Sequence, residues 1–213
     1  MKPKTIIALL CIIHSVGIIG IIYAPTREFV LKLTPINLAI SLISLLSFHK
    51  KWSINTIIGI LLVASCGFFL EVVGIKTKAI FGDYTYGTTL GYAYFNVPLA
   101  MGANWLVLIY STRILAVKIT SQPILVALIS ATIMVGIDWI IEPVAVFMNM
   151  WQWQSSLIPL QNYIAWFIAA FFIQLLFVNV EKKYTNQIAI SVLIIQTVFF
   201  ALIRLYIFLE LNY

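Results

Sequence analysis

The sequence QPILVALISATIMVGIDWIIE, residues 122–142, decides the fold. It is apolar along most of its length and carries two acids at its end, Asp138 and Glu142. A helix of ~20 such residues crosses the hydrocarbon core of a bilayer, whereas a soluble core helix is usually shorter or amphipathic. The stretch therefore predicts a transmembrane helix.

The composition of the whole chain agrees with this prediction. The 213 residues are 62% hydrophobic and 9% charged, and the mean hydropathy is +1.05. A soluble domain is closer to half apolar and a quarter charged. Because apolar segments run nearly end to end, residues 1–213 are predicted to form a single integral membrane domain without a separate soluble part.

Six further apolar segments flank this one, which predicts an all-α, polytopic transmembrane helical bundle of about seven helices (six to eight). The six segments are residues 5–23, 34–48, 53–75, 97–117, 161–180 and 187–209. Their short connections favour helical hairpins over barrel strands.

Two connections are longer and rich in aromatic residues, namely residues 76–96 and 143–160. Long loops in compact proteins tend to be functional or disordered, and these are too aromatic for disorder. Two predicted helices separate them, so both loops are expected on one face of the bundle.

The basic residues indicate an orientation in the membrane. The net charge of +6 is spread over short loops and forms no basic tail, which argues against nucleic-acid binding. The positive-inside bias predicts a cytoplasmic N-terminus and the two aromatic loops on the opposite side. The residues predicted inside are Lys2, Lys4, Lys50, Lys51, Lys118, Lys182 and Lys183, and those outside are Arg27, Lys32, Lys76 and Lys78.

The strongest candidates for chemistry are carboxylates within membrane-type sequence, where they are costly to hold. Asp138 and Glu142 are spaced i, i+4 and share one helix face, and Pro143 is expected to end or kink that helix. A proton shared by such a pair makes a general acid beside a general base. Alternatively, the pair is solvated at the interface or neutralised by Arg204 or Lys76.

A third acid, Glu71, lies between Gly67 and Gly74, and small residues at this spacing let another helix approach closely. Alternatively, the Glu71 side chain extends to the membrane interface. Asp83 follows Gly82, which is turn chemistry.

The aromatic residues of the two loops have two interpretations. Tyr84, Tyr86, Trp151 and Trp153 form either an interfacial aromatic belt or a surface that stabilises a cation.

No metal or cofactor site is predicted. His14 and His49 lie on different segments without partners at ligand spacing, and Cys11 and Cys66 lie in apolar runs unsuited to a disulfide. Phosphate-loop, dinucleotide and serine-nucleophile motifs do not occur.

Four motifs carry a resemblance to a known family. They are GFFLEVVGIKTKAIFGDYTYGTTLG (67–91), NVPLAMGANWLVLIY (96–110), DWIIEPVAVFMNMWQWQ (138–154) and IPLQNYIAWF (158–167). The chain resembles the membrane-bound carotenoid 1,2-hydratases, which include γ-carotene 1′-hydratases and bisanhydrobacterioruberin hydratases. It departs from their pattern at Glu142, where an aspartate is expected, and at Lys78 and Ala165, where glycine is common.

The resemblance implies an enzyme that adds water across the terminal C1–C2 double bond of an acyclic carotenoid end, giving a tertiary alcohol without a cofactor. It implies three catalytic residues, Glu71, Asp138 and Glu142. The substrate-binding residues that the motifs carry over are Tyr84, Tyr86, Trp105, Trp151, Trp153, Asn162 and Trp166, and Asp83 and Asn104 are predicted to join them. The expected partners are a hydrophobic carotenoid, water, the lipid of a bacterial inner membrane and other carotenoid enzymes.

Two other functions stay open on the sequence. A membrane prenyltransferase or other diphosphate-handling isoprenoid enzyme would use paired acids to hold Mg²⁺, although such enzymes usually need two acid clusters. A transport or lipid-binding protein would tend to show internal repeats and acids near the midplane.

Overall fold

The computed structural model describes residues 2–155, 157–177 and 186–211. These ranges contain eight helices and four short strands, so the predicted all-α polytopic bundle is confirmed. The helices are α1 (Pro3–Ile22), α2 (Ala24–Lys32), α3 (Thr34–Ser47), α4 (Ile54–Thr77), α5 (Ala100–Ala116), α6 (Pro123–Phe147), α7 (Leu160–Phe177) and α8 (Gln187–Leu211). The strands are β1 (Tyr84–Tyr86), β2 (Ala93–Tyr94), β3 (Val97–Pro98) and β4 (Trp151–Trp153).

Each predicted apolar segment corresponds to one helix, and α2 is additional. Five helices (α1, α4, α6, α7 and α8) are long and apolar enough to cross a membrane, and the pair α2–α3, bent by 54°, gives a sixth. The prediction of about seven helices (six to eight) agrees with this architecture, and α5, with 17 residues, is shorter than these five helices. Lys182, Lys183 and residues 178–180 of the predicted sixth segment lie outside the described residues.

Helix α5 is the centre of the bundle. Every residue from Trp105 to Ile114 is buried, and α5 packs against α3, α4, α6, α7 and α8. Most of these residues are apolar, and Ser111, Thr112 and Arg113 are buried among them. Because α4 and α6 both end at the same side of the bundle, α5 returns the chain from that side to the start of α6.

Helix α2 begins directly after α1 because the turn between them satisfies the backbone locally. Arg27 Nε donates to the carbonyl of Ile21 at 2.7 Å, one of the C-terminal carbonyls of α1 that lack a helical partner. The Thr26 hydroxyl donates to the carbonyl of Gly20 at 2.8 Å. Arg27, predicted as a loop charge, thus closes the end of a helix.

The two aromatic loops meet on one side of the bundle, as predicted. Strand β1 of the first loop pairs antiparallel with β4 of the second, and Tyr84 lies opposite Trp153 and Tyr86 opposite Trp151. The hairpin β2–β3 is closed by Phe95 and Asn96 at φ 53° and 63°, the positive values that a two-residue hairpin turn requires. We call the β1–β4 pair the aromatic ribbon.

Helix α6 does not end at Pro143 as the prediction allowed but continues to Phe147. Proline has no N–H, so the carbonyl four residues earlier, that of Trp139, loses its helical donor. Arg204 on α8 replaces it, since its Nη1 donates to Trp139 O at 2.6 Å, and its guanidinium lies 3.8 Å from the centroid of the Trp139 ring. A long-range contact therefore lets the helix run through the proline.

Candidate active site

Glu71 lies on α4, is 2% exposed and accepts three hydrogen bonds. The hydroxyls of Tyr84 and Tyr86 donate to its Oε2 at 2.5 and 2.8 Å. The indole Nε1 of Trp105 on α5 donates to its Oε1 at 2.9 Å. Both carboxylate oxygens are thus satisfied by uncharged donors.

The glycines on either side of Glu71 make this arrangement sterically possible. A Cβ at Gly67 would lie 2.3 Å from Trp105 Cγ, and a Cβ at Gly74 would lie 2.6 Å from Phe81 Cδ2. Gly67 therefore admits the neighbouring helix, as the spacing predicted, whereas Gly74 admits a loop residue.

Glu142 lies on α6, is also 2% exposed and is held in a similar way. The indole Nε1 atoms of Trp151 and Trp153 donate to its Oε2 at 3.0 and 2.9 Å. Asn162 Nδ2 on α7 donates to Glu142 Oε1 at 2.9 Å and to Asp138 Oδ2 at 3.1 Å. One amide therefore bridges the two carboxylates of the i, i+4 pair.

The register of the aromatic ribbon places all four ribbon donors on one face. Side chains two residues apart in a strand point the same way, and directly opposed residues of an antiparallel pair share a face. Tyr84 and Trp153 have ring centroids 5.1 Å apart, and those of Tyr86 and Trp151 are 6.3 Å apart. The ribbon directs its hydroxyls at Glu71 and its indoles at Glu142.

No ion pair neutralises these acids within residues 2–155, 157–177 and 186–211. Arg204 is engaged with Trp139, and Lys76 Nζ lies 4.9 Å from the centroid of the Phe95 ring. The burial of Asp138 and Glu142, each 2% exposed, also contradicts the alternative of a solvated interfacial pair. A buried carboxylate without a cation is costly, which makes this cluster the candidate functional site.

Glu71 and Glu142 face one small cavity. Its walls are aromatic and amide side chains with one methionine: Phe81, Tyr84, Tyr86, Met101, Trp151, Trp153, Asn162 and Trp166. It offers about 10 Å³ to the centre of a water molecule, close to the ~10–15 Å³ that a single water needs. Trp166 stacks on Trp105 with centroids 4.3 Å apart and closes one wall.

The two tyrosines of the ribbon stay protonated. Burial, together with the negative charge of Glu71, raises the pKa of the Tyr84 hydroxyl and that of the Tyr86 hydroxyl well above the ordinary tyrosine value. They therefore act as lasting hydrogen-bond donors to Glu71.

Not every predicted site residue lies at this cavity. Asp83 pairs at the surface with Lys78, whose Nζ lies 2.7 Å from its Oδ2, in agreement with turn chemistry and not with a place at the acids. Asn104 lines a neighbouring cavity. Asp138 does not line the cavity but is hydrogen-bonded to Asn162, which does. Trp105 does not line it either, although its indole donates to Glu71.

Two wall residues, Phe81 and Met101, were absent from the predicted site. Met101 lies four residues before Trp105 on α5, and this spacing places both on one helix face. That spacing was the available signal. Phe81 lies in a loop, where helical spacing gives no guide, but it belongs to the motif of residues 67–91 that carries the family resemblance.

The hydrogen-bond donors around Glu71, Asp138 and Glu142 bear on whether these acids could bind a metal cation. Their oxygens accept from hydroxyl, indole and amide hydrogens, and a cation would have to displace these donors. Within the described part of the chain, no three His, Cys, Asp or Glu side chains are grouped as metal ligands.

The fold and site define a polytopic membrane protein whose buried carboxylates, within the described ranges, lack an ion pair and are enclosed by aromatic side chains. The model of one protein family, described as "Carotenoid biosynthesis protein", matches residues 30–212. The match covers most of the chain, so the protein belongs to this carotenoid biosynthesis family. Searches of curated proteins and of solved structures gave no significant match.

Proposed function

We propose that this protein is a carotenoid hydratase that adds water across the terminal C1–C2 double bond of an acyclic end group. The observation that carries the proposal is the cavity shared by Glu71 and Glu142, two buried carboxylates that form no ion pair with any described residue. Membership of the family supports a substrate from carotenoid biosynthesis.

The proposed reaction begins with protonation of the double bond. The Asp138–Glu142 pair carries one proton and delivers it through Glu142, the member that faces the cavity. The proton adds to C2, and the two π electrons form the new C–H bond, which leaves a tertiary cation at C1. General acid catalysis of this kind contributes ~10²–10⁴-fold to a rate.

Water then captures the cation. Its oxygen bonds to C1, and Glu71 removes a proton from it. The product has then gained one water, and the enzyme holds one proton on Glu71 in place of the one that left the Asp138–Glu142 pair. That proton returns from Glu71 to the pair before the next turnover. The small cavity has space for about one water molecule, which limits competing reactions.

The aromatic walls suit the cationic intermediate. Tyr84, Trp153 and Trp166 line the cavity, and the face of an aromatic ring attracts a cation by ~0.5–2 kcal/mol. The N–H and O–H donors around the acids do not suit a bound Mg²⁺, so the diphosphate-handling alternative gains no support from the site.

Expression in a lycopene-producing bacterium tests the proposal. Mass spectrometry should show pigment heavier by one water with the wild-type chain. Glu142→Gln should lower the yield by ~10²–10⁴-fold, as expected for loss of a general acid, and Asp138→Asn should also lower it. Asp83→Asn is the matched control, because it removes a surface carboxylate and should leave the yield unchanged.

Two results would overturn the proposal. One is unmodified lycopene and γ-carotene in the presence of well-expressed wild-type protein. The other is hydration at the normal rate in both Asp138→Asn and Glu142→Gln membranes. Loss of activity on treatment with a chelator would instead favour transfer chemistry.

A further inference from the structure

A second cavity lies directly beside the carboxylate cavity, and the two share Met101 and Trp151. The second cavity offers about 80 Å³ to water centres, several times the space at the acids. Its lining comes from α1, α3, α5, α6 and α8 and is mostly apolar, including Leu108, Ile137 and Leu193. It therefore extends the site into the body of the bundle.

A third cavity continues from the second toward the lipid-facing surface. These two share Thr34, Asn37 and Phe199, and the third offers about 250 Å³. Its outer lining includes Ile12 and Val16, which are 59% and 60% exposed. In a membrane-spanning bundle, exposed isoleucine and valine side chains at this depth face acyl chains.

The three cavities thus form a row from the acids to the lipid between α1 and the α2–α3 pair. A larger apolar groove of about 750 Å³ lies between α4 and α7. That groove shares no lining residue with the carboxylate cavity. The row through α1 and α3 is therefore the series of adjoining cavities that reaches the acids, although it is the narrower space.

Polar side chains on the wall of the second cavity indicate the chemistry of its occupant. His14 Nδ1 donates to the carbonyl of Leu10 at 2.8 Å, and Asn37 Nδ2 lies 3.4 Å from His14 Nε2. Asn37 Oδ1 is buried and has no hydrogen-bond partner among the described residues. Asn104 and Gln196 also line this space.

An acceptor of this kind needs a donor from water or from a ligand hydroxyl. The lining fits a ligand that is hydrocarbon along most of its length and carries one hydroxyl. A terminally hydrated linear polyene has this character.

We propose that linear polyenes enter and leave the site laterally from the bilayer along this row of cavities. The reacting end passes Phe199 and Met101 to reach Glu71 and Glu142, and the rest of the chain lies in the second and third cavities. This inference rests on the proposed function for the identity of the ligand.

Obstruction of the junction between the second and third cavities tests the route. Gly17 lines the third cavity, and a Cβ there would already lie 3.2 Å from the Phe199 ring, so Gly17→Leu should narrow the junction. Thr34→Phe fills the same junction from α3. Gly136→Leu on α6 is the matched control, because a Cβ there meets nothing within 4 Å.

The first measurement is the lycopene that copurifies with each variant in detergent, read by its visible absorbance. The second is the hydration rate in membranes. Both obstructing variants should lose ~tenfold or more in bound lycopene and in rate, as overfilled apolar sites do, while Gly136→Leu matches the wild type. Size-exclusion profiles report whether each variant is folded.

The outcomes separate the two proposals. If folded Gly17→Leu and Thr34→Phe proteins bind and hydrate lycopene like the wild type, the lateral route is wrong and the hydratase stands. If both variants lose bound lycopene but even the wild type adds no water, the route stands and the hydratase falls.

Discussion

Two parts of this protein, α4–β1–α5 and α6–β4–α7, hold a carboxylate by the same plan. In each, a helix carries a glutamate, the following strand supplies two aromatic donors in alternation, and the next helix supplies the third donor. Glu71 receives its bonds from Tyr84, Tyr86 and Trp105. Glu142 receives its bonds from Trp151, Trp153 and Asn162.

The difference lies in the chemistry of the donors. Glu71 is held by two hydroxyls, which both donate and accept and can therefore pass a proton. Glu142 is held by indole and amide N–H groups, which only donate. This contrast supports Glu71 as the base with a proton relay beside it, and Glu142 as the fixed acid whose proton is shared with Asp138.

Among changes to the groups that hold the acids, the largest effect is expected from removal of the two tyrosine hydroxyls. The double variant Tyr84→Phe/Tyr86→Phe deletes two bonds to a buried carboxylate, each contributing ~1.5–3 kcal/mol, and also the relay. Hydration should slow by ~10²-fold or more, measured in membranes, and the thermal midpoint should fall. Tyr92→Phe is the control, since Tyr92 is 76% exposed. A double variant with wild-type activity would contradict a role for these hydroxyls.

A smaller loss of rate is expected from the equivalent change at Glu142. The double variant Trp151→Phe/Trp153→Phe removes two donors of similar strength, so stability should fall by about as much as in the tyrosine pair. The rate should fall by only ~10-fold, because no relay is lost. Trp52→Phe, on the opposite side of the bundle, is the control. If the two double variants slow hydration equally, the tyrosines do not act as a proton relay that the tryptophans lack.

Arg204 should matter for the Glu142 side alone. Arg204→Leu leaves the Trp139 carbonyl without a donor and should cost ~1–3 kcal/mol of stability, measured by thermal unfolding in detergent. Arg204→Lys keeps a donor within reach and should lose less. Hydration should slow modestly because the turn that carries Glu142 shifts. If Arg204→Leu unfolds at the wild-type temperature, this contact does not support α6.

The smallest effect is expected at the end of α4, on the Glu71 side. Lys78 caps this helix at φ 57°, in the left-handed region that favours glycine. Lys78→Gly should therefore raise stability by ~1 kcal/mol, and Lys78→Ala, which also loses the Asp83 ion pair but keeps the strain, should not. The difference between the thermal midpoints of Lys78→Gly and Lys78→Ala measures the cost of the positive φ at position 78. Equal midpoints would argue against backbone strain at this cap.

The sequence was sufficient for the parts of the fold that depend on hydropathy. Apolar length located the seven long segments, and i, i+4 spacing located the Asp138–Glu142 face. It missed α2 because Arg27, Glu28 and Lys32 break the apolar pattern. It misjudged the end of α6 because the donor that replaces the proline N–H comes from α8, far along the chain.

The site was harder to predict than the helices. Strands of three residues give no periodic signal, so the aromatic ribbon, and with it the separate donors of each acid, required the tertiary structure. Lys78 illustrates the opposite case. The positive φ of Lys78 explains why the resembling family commonly has glycine at this position, and only the structure shows that angle.

The local order of acids and donors has a consequence for how the protein is made. Tyr84 and Tyr86 follow Glu71 by 13 and 15 residues, and Trp151 and Trp153 follow Glu142 by 9 and 11. During synthesis, each glutamate therefore emerges just ahead of the groups that satisfy it. Each glutamate can thus meet two of its hydrogen-bond donors within its own half of the chain.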